Sequence, residues 1–231
     1  MENLSFEKIS QVIQSKIKLP DGFNCNENKK NSVIKFSFIQ QDKIDSLILG
    51  FTHYNHFKLD SIVAGISFPK LKNAMTYLSE SLNEENINIK NTISQISEGK
   101  ESAINIYEKL PANIGSSEDL ERSINLIQAF IDEIAISFYQ KWTTLSDLIP
   151  LIENLNLKNL SQVFGGNGIV EKTIIMHLYN HTNTKSFIEN LIQKYTNKSE
   201  EYPDEDAYQN MTKSLLNLKQ ALVIIPKIDN V

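Results

Sequence analysis

The four histidines of this chain fall into two close pairs, and one pair has the spacing of a metal site. His177 and His181 are four residues apart, within a predicted helix over 169–181. Residues four apart share a face of an α-helix, so both imidazoles could bind one divalent transition metal. The zinc signature HExxH has the same spacing, but Leu178 stands where that signature has its glutamate base. The pair therefore predicts metal binding without that base.

The segment around this pair, MHLYNHTNTKSFIENLI (176–192), resembles the last metal-ligand helix of the DinB-like four-helix bundles. That resemblance implies that His177 and His181 join a third histidine. The third ligand would have to be His53 or His56, which lie three apart in a predicted strand and would face opposite sides of it. The alternative is that His177 and His181 are hydrogen-bonded imidazoles at a helix surface, with no metal.

Three further motifs approach catalytic patterns and depart from them. GGNG at 165–168 precedes a helix, as in phosphate-binding loops, but Glu171 stands where those patterns require a glycine. GISFP at 65–69 approaches the G-x-S-x-G nucleophile elbow, with Ser67 as nucleophile, but proline replaces the last glycine. Cys25 lies in a polar stretch without a neighbouring group that would activate its thiol. No complete catalytic pattern is present, so we predict a non-catalytic protein.

A run of carboxylates near the C-terminus is the second candidate site. It comprises Glu200, Glu201, Asp204, Glu205 and Asp206. The run lacks the D-x-D-x-D-G loop of calcium sites. Two interpretations stay open: solvated surface charge, or a docking surface for a neutral or basic protein partner.

Composition narrows the class of partner. Among 231 residues there are 22 lysines and a single arginine, Arg122, and the net charge is −5. Nucleic-acid and phosphate recognition rely heavily on arginine, so this class of partner is disfavoured and we expect no nucleic-acid partner. No apolar run is long enough to cross a membrane, and no secretory signal is visible at the N-terminus. With one cysteine and therefore no disulfide framework, the expected compartment is the cytoplasm.

The first half of the chain changes from a helical to an alternating pattern. Apolar spacing predicts a helix over 5–17, followed by a turn and a polar loop. Strands are predicted over 33–40, 46–57 and 61–68, with a helix as the alternative for the third. Their short connections favour an antiparallel sheet. Pro69 begins a further helix, and the structure of 87–114 is left open.

The second half is predicted to be helical. The longest element is a central helix over 117–142, where isoleucine, leucine and phenylalanine recur at spacings of three and four. Later helices are expected from a cap at Ser146 to about Leu155, over 169–181, from a cap at Thr184 to Tyr195, and over 208–222.

The predicted fold class is α+β: an N-terminal helix plus a small, mainly antiparallel sheet, followed by a larger helical part around the central helix. The domains are an α+β part, 1–115, and a helical part, 116–231, unless both form one domain. The layout of a helix, a Gly-Phe turn and aromatic-rich strands resembles bacterial immunity proteins, which are encoded beside toxin genes. We therefore expect a non-catalytic cytoplasmic bacterial protein that binds a protein partner, in the immunity-like case a toxin domain. The alternatives are a metal-binding helical protein or metal-dependent enzyme using the histidine pair, and a homodimer formed through the helical part.

Overall fold

The computed structural model describes residues 4–82, 93–94, 113–164 and 168–227. An N-terminal helix, an antiparallel sheet and then mostly helices confirm the α+β class. The chain groups into two compact units, Met1–Phe68 with Asn91–Thr143, and Pro69–Lys90 with Thr144–Val231. This grouping places the central helix with the sheet. The predicted division near residue 115 concerns independent folding and stays a prediction.

The first unit begins with helix α1, Phe6–Lys16, which Ser5 caps by accepting a hydrogen bond from the Lys8 N–H at 3.2 Å. The sheet follows, with its described strands in sequence order and every neighbouring pair antiparallel. The strands are β1 Asn24–Asn28, β2 Val33–Ile39, β3 Ile44–His53, β4 Phe57–Ser67 and β5 Ile93–Ser94.

The apolar face of the sheet follows from the strand register. Leu49 is opposite Ile34 on β2 and Ile62 on β4, and Leu47 occupies the next inward position of β3. These side chains are buried because residues two apart in a strand share a face. The pairing and burial of β4 confirm the predicted strand at 61–68 and exclude the helix that was its alternative.

One stretch of the first unit differs from its prediction, and a second stretch is the range 87–114, for which no structure was predicted. The polar loop after α1 contains the edge strand β1, which pairs with β2 although its side chains do not alternate between apolar and polar. Within 87–114, Ile93 and Ser94 pair with β4, and the Ile114 N–H donates to the Phe57 carbonyl at 2.6 Å. The remaining positions of that range, except Asn113, lie outside the described residues.

The central helix, α3, is continuous but not uniform. It consists of α-helix Ser117–Phe130, one π-helical turn Ile131–Ala135, and α-helix Ile136–Lys141. Ser116 caps its first turn by accepting from the Asp119 N–H at 3.1 Å. The predicted apolar stripe is buried, and α3 contacts α1 and β4 within this unit. The π-helical turn was not predicted, because apolar spacing does not reveal one inserted residue in a helix whose sides are widely apolar.

The second unit is helical. A 3₁₀ turn, Leu145–Leu148, precedes α4, and Thr144 begins it with a capping box to Asp147, so the predicted cap at Ser146 is wrong. The helices are α2 Pro69–Leu82, α4 Ile149–Asn154, α5 Leu157–Phe164, α6 Gly168–Leu178, α7 Thr184–Glu201 and α8 Asp206–Ala221. Sequence reasoning missed α5 and ended α7 too early, at Tyr195.

Helix α6 forms the core of the second unit. It contacts α2, α4, α5 and α7, and most of its residues are buried, including the charged Glu171 and Lys172. Helices α7 and α8 pair as an antiparallel hairpin. None of the helices in the described part of the chain has the length and apolar character needed to span a bilayer.

Candidate functional site

His177 and His181 do not share a helical face, because α6 ends between them. The last residue of α6 is Leu178, and Asn180 has a left-handed φ of 52°. The Asn180 N–H donates to the His177 carbonyl at 3.1 Å, and the His181 N–H donates to the Met176 carbonyl at 2.9 Å. These two bonds form a Schellman motif, with asparagine at the left-handed position. His181 therefore lies in the turn after the helix, and the geometric premise of the metal prediction is corrected.

Both imidazoles are engaged in hydrogen bonds. Nε2 of His177 lies 2.9 Å from the Ile225 carbonyl oxygen, which can only accept, so this nitrogen carries a proton. Nε2 of His181 lies 2.5 Å from a carboxylate oxygen of Glu153, and its Nδ1 accepts from the Asn183 N–H at 3.2 Å. Within the described ranges, no three His, Cys, Asp or Glu side chains are grouped so as to hold a metal ion. Metal binding stays a prediction.

The structure nevertheless brings both histidines to one cavity of about 300 Å³. Three lysines also line it, Lys185 at the start of α7, Lys219 in the last turn of α8, and Lys227 beyond α8. No sequence pattern indicated this cluster, since its members come from three separate segments. Their convergence depends on the α7–α8 hairpin.

The other histidine pair belongs to the first unit. His53 ends β3, and its ring centroid lies 4.3 Å from that of Phe57. His56 lies in the turn that joins β3 to β4. Both histidines therefore lie at the same end of the β3–β4 hairpin.

The five carboxylates of the acidic run lie at the tip of the α7–α8 hairpin, and all are exposed. Glu200 and Glu201 end α7, Asp204 and Glu205 lie in the turn, and Asp206 begins α8. Three of the five carboxylates therefore lie on helices, and two lie in the turn between them.

Aromatic rings lie beside these carboxylates. The Tyr202 ring is centred 5.9 Å from that of Tyr208, which lies 6.4 Å from that of Tyr195. Tyr202 is 45% exposed. Lys198 Nζ lies 4.9 Å from the centre of the Tyr208 ring. The tip therefore combines negative charge with an accessible tyrosine.

Charges on α7 are arranged against its helix dipole. Its first turn has no acidic residue and contains Lys185, whereas its last turn ends in Glu200 and Glu201, with Lys198 as the basic residue. Negative charge at a helix C-terminus and positive charge at an N-terminus both reduce stability. Helix stability therefore does not explain the positions of Lys185, Glu200 and Glu201.

The start of α6 explains one glycine of the GGNG motif. A Cβ at Gly168 would lie 2.6 Å from the Leu160 carbonyl oxygen, so the close approach of α6 to α5 requires glycine there. Positions 165–167 lie outside the described residues. Glu171, in the first turn of α6, is buried, and burial raises its pKa to about 8.

Ser67 and Cys25 lie in the first unit. Ser67 ends β4 in a sheet whose described strands are all antiparallel, unlike the parallel sheet that carries a nucleophile elbow. Cys25 is exposed on β1. Desolvation of the thiol and, secondly, the charge of Glu27 raise the pKa of Cys25 to about 11, which disfavours the reactive thiolate.

A buried polar network in the first unit was not predicted. Lys43 Nζ lies 3.1 Å from Asp45 Oδ1 as an ion pair, and it donates to the carbonyl oxygens of Tyr139 at 2.6 Å and Trp142 at 3.2 Å. Burial raises the pKa of Asp45 despite the adjacent ammonium group. Because those two carbonyls end α3, the network fixes that helix to the β2–β3 connection.

Comparisons of this chain with protein-family models, with curated proteins and with solved structures find no match.

Proposed function

We propose that this chain is a non-catalytic, cytoplasmic bacterial protein that binds a neutral or basic protein partner through the tip of its α7–α8 hairpin. The observation that carries the proposal is the exposed carboxylate cluster at 200–206, which surrounds an accessible tyrosine. Tyrosines are frequent in the energetically important parts of interfaces, and complementary charge accelerates association.

The positions of the charges favour a binding role over neutral surface variation. Glu200 and Glu201 lie at the negative end of α7, where they reduce its stability. Local features that reduce stability without a structural return are expected at functional sites. A partner with a basic surface would neutralise this charge on binding.

An immunity-like role is the specific form of this proposal. In that form, the partner is a toxin domain that the tip binds and keeps inactive. The layout of α1 and the first strands motivates this form, and the acidic tip supplies its binding chemistry. A homodimer through the helical part is the competing form of interaction, and light scattering that shows one copy at all concentrations would contradict it.

The proposal is tested with a charge-reversed double variant, Glu200→Lys with Glu201→Lys. Immobilised wild-type protein is expected to retain a specific partner from the native cell extract at low salt, and the variant is expected to lose it. The matched control reverses two exposed acids elsewhere, Glu80→Lys with Glu133→Lys, which changes the net charge equally. Equal loss in both variants would show that only net charge matters, and a wild-type chain that retains no partner would contradict the proposal.

A further inference from the structure

The histidine cavity is cationic, although the whole chain is acidic. Its lining residues include three lysines, Lys185, Lys219 and Lys227, and the two histidines His177 and His181. Its lining residues include no Asp or Glu. Two acids outside the lining pair with lining residues, Glu189 with Lys219 at 2.9 Å and Glu153 with His181 at 2.5 Å, and so offset part of this positive charge.

The floor of the cavity is apolar and its rim is polar. Ile188 of α7 and Leu222, just after α8, are buried lining residues, whereas Lys185 and Lys227 are exposed. A volume of about 300 Å³ matches the lower end of small-ligand pockets. An occupant would therefore carry a small carbon part against the floor and a charged part at the rim.

We propose that this cavity binds a small organic phosphate monoester. Lys185, Lys219 and Lys227 would surround the phosphate as point charges, and His177 would present its imidazole to the same space. Lysine binds the tetrahedral phosphate group as a point charge, without the fork that arginine offers to phosphate and carboxylate alike. No arginine lines the cavity.

The start of α7 adds positive potential to the same cavity. Thr184 and Lys185 are both lining residues and the first two residues of α7, and the N-cap residue Asn183 makes no side-chain hydrogen bond to the first turn. The Thr184 N–H donates to the His181 carbonyl at 3.1 Å, and the first-turn N–H groups that lack such a partner favour an anion. This contribution supports the lysine cluster and would not make a site alone.

The same charges disfavour the metal alternative. A divalent cation between His177 and His181 would lie among three ammonium groups, whose repulsion opposes its binding. Nε2 of each histidine is already engaged, by the Ile225 carbonyl and by the Glu153 carboxylate. The histidine pair therefore fits an anion site better than a metal site.

Titration calorimetry tests the proposal with three probes: inorganic phosphate, glycerol 3-phosphate and uncharged glycerol. We expect saturable binding of glycerol 3-phosphate, weaker binding of inorganic phosphate because it has no carbon part to contact the floor, and none of glycerol. The double variant Lys185→Met with Lys227→Met is expected to weaken binding by at least about tenfold. The absence of saturable binding of glycerol 3-phosphate by wild-type protein would overturn the proposal. If inorganic phosphate bound as tightly as glycerol 3-phosphate, the proposed contact between the floor and the carbon part of the ligand would be overturned.

A matched control separates this site from general charge. Lys158→Met with Lys213→Met removes two exposed lysines that do not line the cavity, and it should leave the affinity for glycerol 3-phosphate unchanged. Equal weakening in the control would overturn the proposal, because net charge would then explain binding. Stoichiometric zinc binding that His177→Ala removes would also overturn it, in favour of a metal site.

Discussion

Glu171 lies in the first turn of α6, buried, with Oε2 lacking a hydrogen-bond partner among the described residues. Burial raises its pKa from near 4.5 to about 8. At a pH between these two pKa values, the Glu171 side chain is deprotonated in the unfolded chain and protonated in the folded chain. The free energy of unfolding therefore falls as pH rises through this window, by at most about 1.4 kcal/mol per pH unit.

We expect Glu171→Gln to remove this pH dependence. Glutamine resembles the protonated carboxyl group, so the variant should match wild-type stability near pH 5 and exceed it at pH 8. Urea denaturation at both values measures the difference, with Glu200→Gln as the exposed control. A stability difference between Glu171→Gln and wild type that does not change with pH would contradict the buried, protonated state.

Individual residues show where sequence reasoning reached its limit. The spacing of His177 and His181 indicated a shared helical face, but the left-handed conformation of Asn180 ends the helix between them. Asparagine tolerates that conformation better than most residues, which is a weak signal in a chain rich in asparagine. The lysines of the cavity carried no signal, since their proximity is a tertiary property.

Buried lysines attach elements to helix ends in both units. Lys43 donates to the last carbonyls of α3, and Lys172 of α6 donates to the Ile152 carbonyl of α4. Lys172 Nζ also lies 4.8 Å from the centre of the Phe187 ring. Ammonium groups suit helix C-termini because they match the negative end of the dipole and satisfy carbonyls that lack helical partners.

Removing Lys43 should be strongly destabilising. Lys43→Met leaves the Asp45 carboxylate buried without its counter-ion and leaves the Tyr139 and Trp142 carbonyls without this donor. Breaking a buried pair in this way costs about 3–5 kcal/mol. Chemical denaturation of Lys43→Met, Asp45→Asn and the double variant measures the coupling.

The double variant Lys43→Met with Asp45→Asn should be more stable than Lys43→Met alone, because the unpaired buried charge is gone. Its remaining deficit relative to wild type reports the loss of the helix-end contacts. Additive effects of the two changes would contradict an energetic pair.

Elements with strong periodicity were predicted well. Apolar spacing located α1, α2 and α3, and alternation located three strands, because each element buries one continuous face. The predicted strand at 46–57 is wrong at its end, since β3 ends at His53 and Phe57 already begins β4 after a turn. Strand β1 was missed because an edge strand can be polar on both faces, and α5 was missed because it is short. The π-helical turn in α3 and the closeness of α6 to α5 depend on packing, which one sequence does not display.

At the scale of the second unit, the α7–α8 hairpin carries opposite charge at its two ends. The lysine-lined cavity lies where α7 begins and α8 ends, and the carboxylates lie at the turn. The 18 residues of α7 separate these ends by roughly 27 Å, at about 1.5 Å per residue. This distance exceeds a Debye length of about 8 Å at physiological salt, so the two ends can act separately.

At the tip of the hairpin, the same carboxylates are proposed to bind a partner and to reduce the stability of α7. This gives the last prediction. Lysine at positions 200 and 201 would match the dipole of α7, so the variant Glu200→Lys with Glu201→Lys should be more stable than wild type at low salt. The expected gain is on the order of 0.3 kcal/mol per residue, because both side chains are exposed. Thermal unfolding at low and high salt measures it, and the gain should shrink as salt increases.

The expected increase in the stability of this variant makes the partner experiment decisive. A variant that is more stable than wild type and has lost its partner has lost a recognition surface, because partial unfolding cannot explain the result. A destabilised variant would contradict the dipole argument, and a stabilised variant that still retains the partner would place the interface elsewhere. The two measurements together therefore distinguish a binding tip from a surface whose charge has no role.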